Sequence, residues 1–223
     1  MRYTFLGKPS LFLTIFACIG VFATCALSCS SDKPTETPKP SSGTISASKV
    51  EDEQKEIIRN PQWAVAIEKA GLPNLHKIND RLYRGAQPTA EGFKQLKEMG
   101  IRTILNLRRY HSDKDEITEA NLGGDFFEYV PQPVNAWGVD EKNVVEFLKI
   151  VTNPQKQPVF FHCLHGADRT GTMAASYRFV IDGWTAEEAL DEMKNGGFNF
   201  HSIWENLIRF IKSIDKEKIK SQL

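Results

Sequence analysis

Residues 158–163, Pro-Val-Phe-Phe-His-Cys, form a short apolar run that leads straight into Leu-His-Gly-Ala-Asp-Arg-Thr-Gly at 164–171. A run this short and this apolar suits a strand covered on both faces, as in the middle of a parallel sheet. Gly166 allows a loop conformation that residues with a side chain resist, and the stretch from Thr170 to Ile181 reads as a helix. Strand, tight loop and helix are the repeating unit of α/β folds, in which ligands bind at the carboxyl ends of the strands. One stretch of sequence therefore predicts a fold class and the end of the sheet where a site belongs.

The rest of the chain fits that frame. PQWAVAIEKAG predicts a short helix stopped by Gly71, and NLHKINDRLYRG predicts two strands joined at Asn79-Asp80. A helix over 89–99 is opened by Pro88-Thr89 and closed by Gly100. IRTILNLR and FFEYVP read as strands, with the polar helical stretch DKDEITEANLGG between them. Residues 140–152 carry Val144, Phe147, Leu148 and Val151 on one helical face. Thr185 and Glu188 form a capping box for a helix over 185–194. Ser202 opens a last amphipathic helix with Ile203, Leu207, Phe210 and Ile214. The sum is a single α/β domain, a mostly parallel sheet with helices on both faces.

The first residues follow a different logic. Arg2 and Lys8 precede the uncharged LFLTIFACIGVFATCALSC, a positive segment followed by an apolar one, as in secretory signals. The ending ALSC resembles the lipobox of bacterial lipoproteins, which implies lipid on Cys29. An uncleaved anchor is the alternative, since a spanning helix needs roughly 20 apolar residues. The Ser-, Thr-, Pro- and Lys-rich residues after Cys29 lack the apolar surface to fold. The expected division is a lipoprotein-type signal at 1–28, a flexible tether at 29–59, a folded domain at 60–216 and a tail at 217–223. The expected location is the bacterial cell envelope, lipid-anchored or secreted. The 28 basic and 28 acidic residues balance, which gives no electrostatic case for nucleic acid as a partner. Of the four cysteines, Cys18, Cys25 and Cys29 fall in the signal region. Cys163 is thus the one thiol of the folded part, with no intramolecular disulfide partner there.

The loop after Cys163 has the makings of an oxyanion cradle. Successive backbone N–H groups over Leu164, His165, Gly166 and Ala167 can converge on one point, with Thr170 and Gly171 opening the helix beside them. The helix N-terminus adds about half a positive charge. Arg169 can fork onto two phosphate oxygens. These donors favour the thiolate of Cys163, which can attack phosphorus and form a phosphocysteine. The Thr170 hydroxyl is placed to bond the sulfur, and His162 to fix the loop by hydrogen bonds.

The HC-x5-R-T pattern resembles the signature of the cysteine-dependent protein tyrosine and dual-specificity phosphatase superfamily. LYRGAQP, HGADRTGT and GGFNFHSIWENL together resemble its bacterial dual-specificity-like branch, over most of residues 75–212. The resemblance implies a four- to five-stranded sheet flanked by helices, hydrolysis of phosphate monoesters and no metal or other cofactor. Phosphorylated proteins, lipids and small molecules are the expected substrates, with protein phosphotyrosine or phosphoserine/threonine favoured. A phosphoinositide phosphatase and a non-catalytic phosphate-binding module stand as alternatives.

The proton donor is the open position. In the family it is an Asp on the loop after the preceding strand, but here that region reads VPQPVNAWGVDEKN, with uncharged residues at the usual place. Asp168 is preferred, because GADRT resembles the GxDRT loops of myotubularin-like phosphatases. Asp140 is the alternative general acid, although its position also suits an N-cap. Arg84 either reaches the site or braces the fold, and His201 and Trp204 are expected as packing residues.

Overall fold

The structure is a computed structural model that describes residues 60–122 and 126–223. The signal segment, its three cysteines and the tether lie outside the described residues.

Six strands form one sheet: β1 (Val65–Ala66), β2 (His76–Asn79), β3 (Leu82–Gly85), β4 (Thr103–Asn106), β5 (Glu128–Pro131) and β6 (Val159–His162). Their order is β1-β2-β3-β6-β4-β5. β6 lies between β3 and β4 and runs parallel to both, while β1 and β2 add an antiparallel edge. All four residues of β6 are buried, as the apolar run requires. The sheet has six strands rather than four to five, and the extra one comes from the segment expected to be helical at 61–71. There Val65 and Ala66 pair with Lys77 and His76, and the Ile67 N–H donates to the Leu75 carbonyl at 3.0 Å. Pairing with a sheet edge overrides the local helical preference.

Seven helices complete the described domain: α1 (Ala90–Glu98), α2 (Lys114–Glu119), α3 (Glu141–Val151), α4 (Asp168–Val180), α5 (Ala186–Asn195), α6 (Glu205–Ser213) and α7 (Lys216–Lys220). Side-chain alternation along the strands feeds two cores. Ile104 and Phe160 face Phe93 and Leu96 of α1. Leu105, Val159 and Phe161 face Phe147, Met173, Ala189 and Ile211 from α3 to α6. Each large apolar side chain buried in this way contributes about 1.5–3 kcal/mol. The segment expected as a tail from 217 belongs to the domain, because α7 buries Ile219 in the second core. The last long helix starts later than expected, with Trp204 rather than Ser202 at its N-cap position, and Ile203 is 75% exposed.

A buried ion pair fastens the start of the domain to its helices. Arg178 Nε and Nη2 donate to the two Glu192 oxygens, each at 2.9 Å, and Arg178 Nη1 donates to Asp182 at 2.8 Å. Glu192 also accepts from the Ala64 N–H, and Arg178 Nη2 donates to the Gln62 carbonyl at 3.1 Å. Removing one partner of such a pair strands the other charge in the interior. Glu192→Ala is therefore expected to lower the unfolding free energy by about 3–5 kcal/mol, measured by urea denaturation followed by circular dichroism.

Candidate active site

The carboxyl ends of β3, β4 and β6 meet at one place. Register aligns Gly85 and Asn106 with His162, so the chain leaves β6 at Cys163 between two neighbouring strand ends. α4 begins five residues later, at Asp168.

The loop between them is held by its carbonyls. Cys163 O contacts His162 Nδ1 at 3.2 Å, and Leu164 O accepts from the Gln87 N–H at 3.1 Å. His165 O accepts from Asn74 Nδ2 at 2.9 Å, Gly166 O from Arg84 Nη2 at 2.7 Å and Ala167 O from the Gly171 N–H at 2.8 Å. In a planar trans peptide the N–H points opposite to the carbonyl. With these carbonyls engaged, the N–H groups across the same peptides are left for an oxyanion beside the N-terminus of α4, as the expected cradle requires.

Gly166 is required twice over. Its φ of +69° lies in the left-handed region, and an added Cβ would stand 2.5–2.6 Å from the backbone of Gly85 and Ala86. Arg84 braces the fold rather than reaching the cleft. It is 1% exposed, and its guanidinium lies 3.7 Å from the centre of the Phe198 ring. Burial lowers its pKa to about 10, against the opposing pull of Glu192 and Cys163, so it remains a cation at neutral pH. Arg169 lines the cleft, and its Nη1 lies 3.5 Å from the Leu107 carbonyl. Cys163 is buried and free of any disulfide.

His162 tethers the loop to a polar network built on β4, β5 and the segment before α2. Its Nε2 lies 2.8 Å from Asp113 Oδ2, while Asp113 Oδ1 accepts from Gln87 Nε2 at 2.9 Å and from Asn106 Nδ2 at 3.0 Å. The Tyr129 hydroxyl accepts from the Asp113 N–H at 3.2 Å and from Asn106 Nδ2 at 3.0 Å. Asp113 and His162 are both fully buried, so the network ties the β6 loop to β4 and β5 away from water. Sequence reasoning missed Asn74, Gln87, Asn106, Asp113 and Tyr129. None carries a local motif, and Asp113 reads simply as the start of the polar stretch before α2.

The cleft above the loop has a volume of about 700 Å³. Leu164, His165, Asp168 and Arg169 line it from the loop and the start of α4, and Trp137, His201 and Trp204 from the other side. Trp137 and Trp204 pack edge to face at 4.6 Å. Asp140 is not among the lining residues. It caps α3, accepting from the Asn143 N–H at 2.9 Å in a reciprocal capping box, which takes it away from the proton-donor position considered for it. Thr170 is fully buried, but its hydroxyl makes no hydrogen bond among the described residues, so the expected bond to the Cys163 sulfur is not formed. His201 is more than packing: its N–H donates to Asp168 Oδ1 at 3.0 Å, and its Nδ1 lies 2.9 Å from Asp168 Oδ2. His165, Asp168 and His201 converge at the cleft, and His111, Asp113 and Glu116 converge at the start of α2. The first group joins residues more than 30 positions apart, so local sequence does not reveal it, while the second lies within six consecutive positions.

A buried cysteine at a strand end, a loop whose carbonyls are engaged, a helix N-terminus and an arginine six positions on define a cysteine-dependent phosphatase. A family model described as a DSP-PTPase phosphatase fused to NAD+ kinase matches residues 57–209, and the chain belongs to this DSP-PTPase family. It is 31% identical over 163 residues to the dual specificity protein phosphatase TpbA of Pseudomonas aeruginosa, covering 73% of this chain and 71% of that protein. The crystal structure of TpbA superposes with a TM-score of 0.64 at 30% identity, over 73% of this chain and 97% of that one. The inositol diphosphatase DSP3 of Arabidopsis thaliana is 24% identical over 153 residues, covering 64% of this chain and 70% of that protein.

Proposed function

We propose that this phosphatase hydrolyses phosphate monoesters through a phosphocysteine on Cys163, with protein phosphotyrosine or phosphoserine/threonine as the favoured substrate. The observation that carries this reading is the row of engaged carbonyls from Leu164 to Ala167. The N–H groups on the far side of these peptides are left to hold the phosphoryl oxygens as charge gathers there, with little reorganisation in the transition state. Arg169 supplies the charged donor above the loop, and Arg84 holds a second fixed positive charge below it. Thr170, its hydroxyl still unbonded, is available to the sulfur when the P–S bond breaks. The exposed rim of Trp137 and Tyr110 suits an aromatic phosphate ester. TpbA, the relative described above, has been crystallised in complex with pTyr.

A second reading has its own support. Arg108 and Arg109 join Arg169 along the cleft, which suits a substrate carrying several phosphates, and one relative is an inositol diphosphatase. A panel of phosphotyrosine and phosphoserine peptides, phosphoinositides and soluble inositol phosphates separates the two, with a denaturing quench that captures the intermediate. The expected result is peptide turnover at least tenfold above that of the inositides, as roughly 1.4 kcal/mol of discrimination, and a phosphoryl adduct on the peptide that contains Cys163. A reversed order of turnover would favour the second reading, and an adduct on another residue would remove the phosphocysteine. The envelope location rests on the lipobox-like ALSC, and labelling of Cys29 with a radioactive fatty acid in a bacterial host tests it.

A further inference from the structure

We infer that His201 is the proton donor to the leaving group and that Asp168 is its positioning residue. This inference rests on the phosphocysteine reading above. The usual acid is missing from 131–139, and Asp140 is engaged as a helix cap outside the cleft. Among the described residues Asp168 is the one carboxylate lining the cleft, but its oxygens already face His201: Oδ1 receives the backbone N–H and Oδ2 lies 2.9 Å from the ring nitrogen Nδ1. A carboxylate only accepts, so Nδ1 carries the hydrogen of this bond. The other nitrogen, Nε2, makes no hydrogen bond among the described residues, and the ring is about half exposed at the cleft wall. A carboxylate that fixes the tautomer and orientation of an imidazole, leaving the far nitrogen for the reaction, is the geometry of a histidine acid–base pair.

The chemistry balances. In the first step the Cys163 thiolate attacks phosphorus and the bond from phosphorus to the ester oxygen breaks. The proton on Nε2 of the His201 imidazolium passes to that oxygen. In the second step the neutral Nε2 takes a proton from water as the water oxygen attacks phosphorus. The P–S bond breaks, the thiolate is released and His201 is again protonated. His165, whose ring lies 5.6 Å from that of His201, and Arg169 are the cleft-lining cationic or titratable groups on the loop side of His201.

The test compares an alkyl phosphate, whose leaving group needs the proton, with para-nitrophenyl phosphate, whose leaving group needs it much less. His201→Asn keeps a donor toward Asp168 but has no proton to deliver. It is expected to lower kcat on the alkyl ester on the order of 10²–10³-fold and on the nitrophenyl ester by no more than about tenfold. Imidazole added to His201→Gly should restore part of the alkyl activity, which no structural role would produce. Asp168→Asn should give a smaller loss with the same preference for the alkyl ester. Equal losses on both esters without imidazole rescue would overturn the proposal. So would a His201→Asn enzyme that keeps its alkyl activity while Asp168→Asn loses it, since Asp168 would then be the donor. Cys163→Ser serves as the separate control: nitrophenyl turnover that survives it would remove the phosphocysteine reading itself, whatever His201 does.

Discussion

Cys163→Ser is expected to lower kcat on para-nitrophenyl phosphate on the order of 10⁴-fold or more, the scale of loss when a nucleophile is removed from an otherwise intact site. A serine hydroxyl gives up its proton far less readily than a thiol, so donors that favour a thiolate do not produce an alkoxide in its place. Phosphate binding should persist. The loop carbonyls are anchored by Asn74, Arg84 and Gln87 through bonds that do not involve the substituted atom, so the loop should keep its shape. Isothermal titration with a non-hydrolysable aryl phosphonate checks this, with affinity within a few-fold of the unmodified enzyme. Turnover reduced less than tenfold would mean that another group attacks phosphorus.

Gly166→Ala should cost less activity than loss of the nucleophile but more stability, without touching a reactive atom. The new methyl would meet the backbone of Gly85 and Ala86 at 2.5–2.6 Å, where Gly85 is paired in the ladder with β6 and the Ala86 N–H is bonded to the Pro73 carbonyl. The left-handed φ adds its own penalty for a residue with a side chain. Strain and overpacking together are expected to lower the unfolding free energy by roughly 2–5 kcal/mol. The loop can escape only by moving away from β3, which loosens the bond from Arg84 to the Gly166 carbonyl. Displacement of about 1 Å at such a site costs on the order of 10²-fold in kcat/KM. Thermal melting and steady-state kinetics on the same preparation test both effects, and an alanine variant with unchanged melting and rate would show that the loop tolerates a side chain here.

These expectations also show what could be read from the residues alone. The central strand, the loop and the helices with strong end signals were legible because their causes are local. Thr89 caps α1, Thr185 and Glu188 box α5, and an unbroken apolar run demands burial on both faces. Segment 61–71 departs from its helical pattern because its fate is decided by a partner elsewhere in the chain: Trp63 and Ala64 are buried, and the backbone that follows pairs with β2. Residues from 217 on differ from the expected tail for a similar reason, since a five-residue helix has little stability of its own and α7 depends on burying Ile219 against the domain. At the site, Cys163 and Arg169 stand out through their spacing within one loop. The contact between His201 and Asp168 joins residues 33 positions apart, and that between His162 and Asp113 joins residues 49 apart, so neither leaves a trace in the local pattern.

The anchoring of the loop limits how portable its chemistry is. The ten residues from His162 to Gly171 contain the nucleophile and the arginine, yet much of what shapes them arrives from β3, β4, β5 and the turn at Asn74. Grafted onto another α/β sheet, the same ten residues would bring the reactive sulfur without most of its scaffolding. A designer wishing to borrow this activity would have to transplant the strand ends as well.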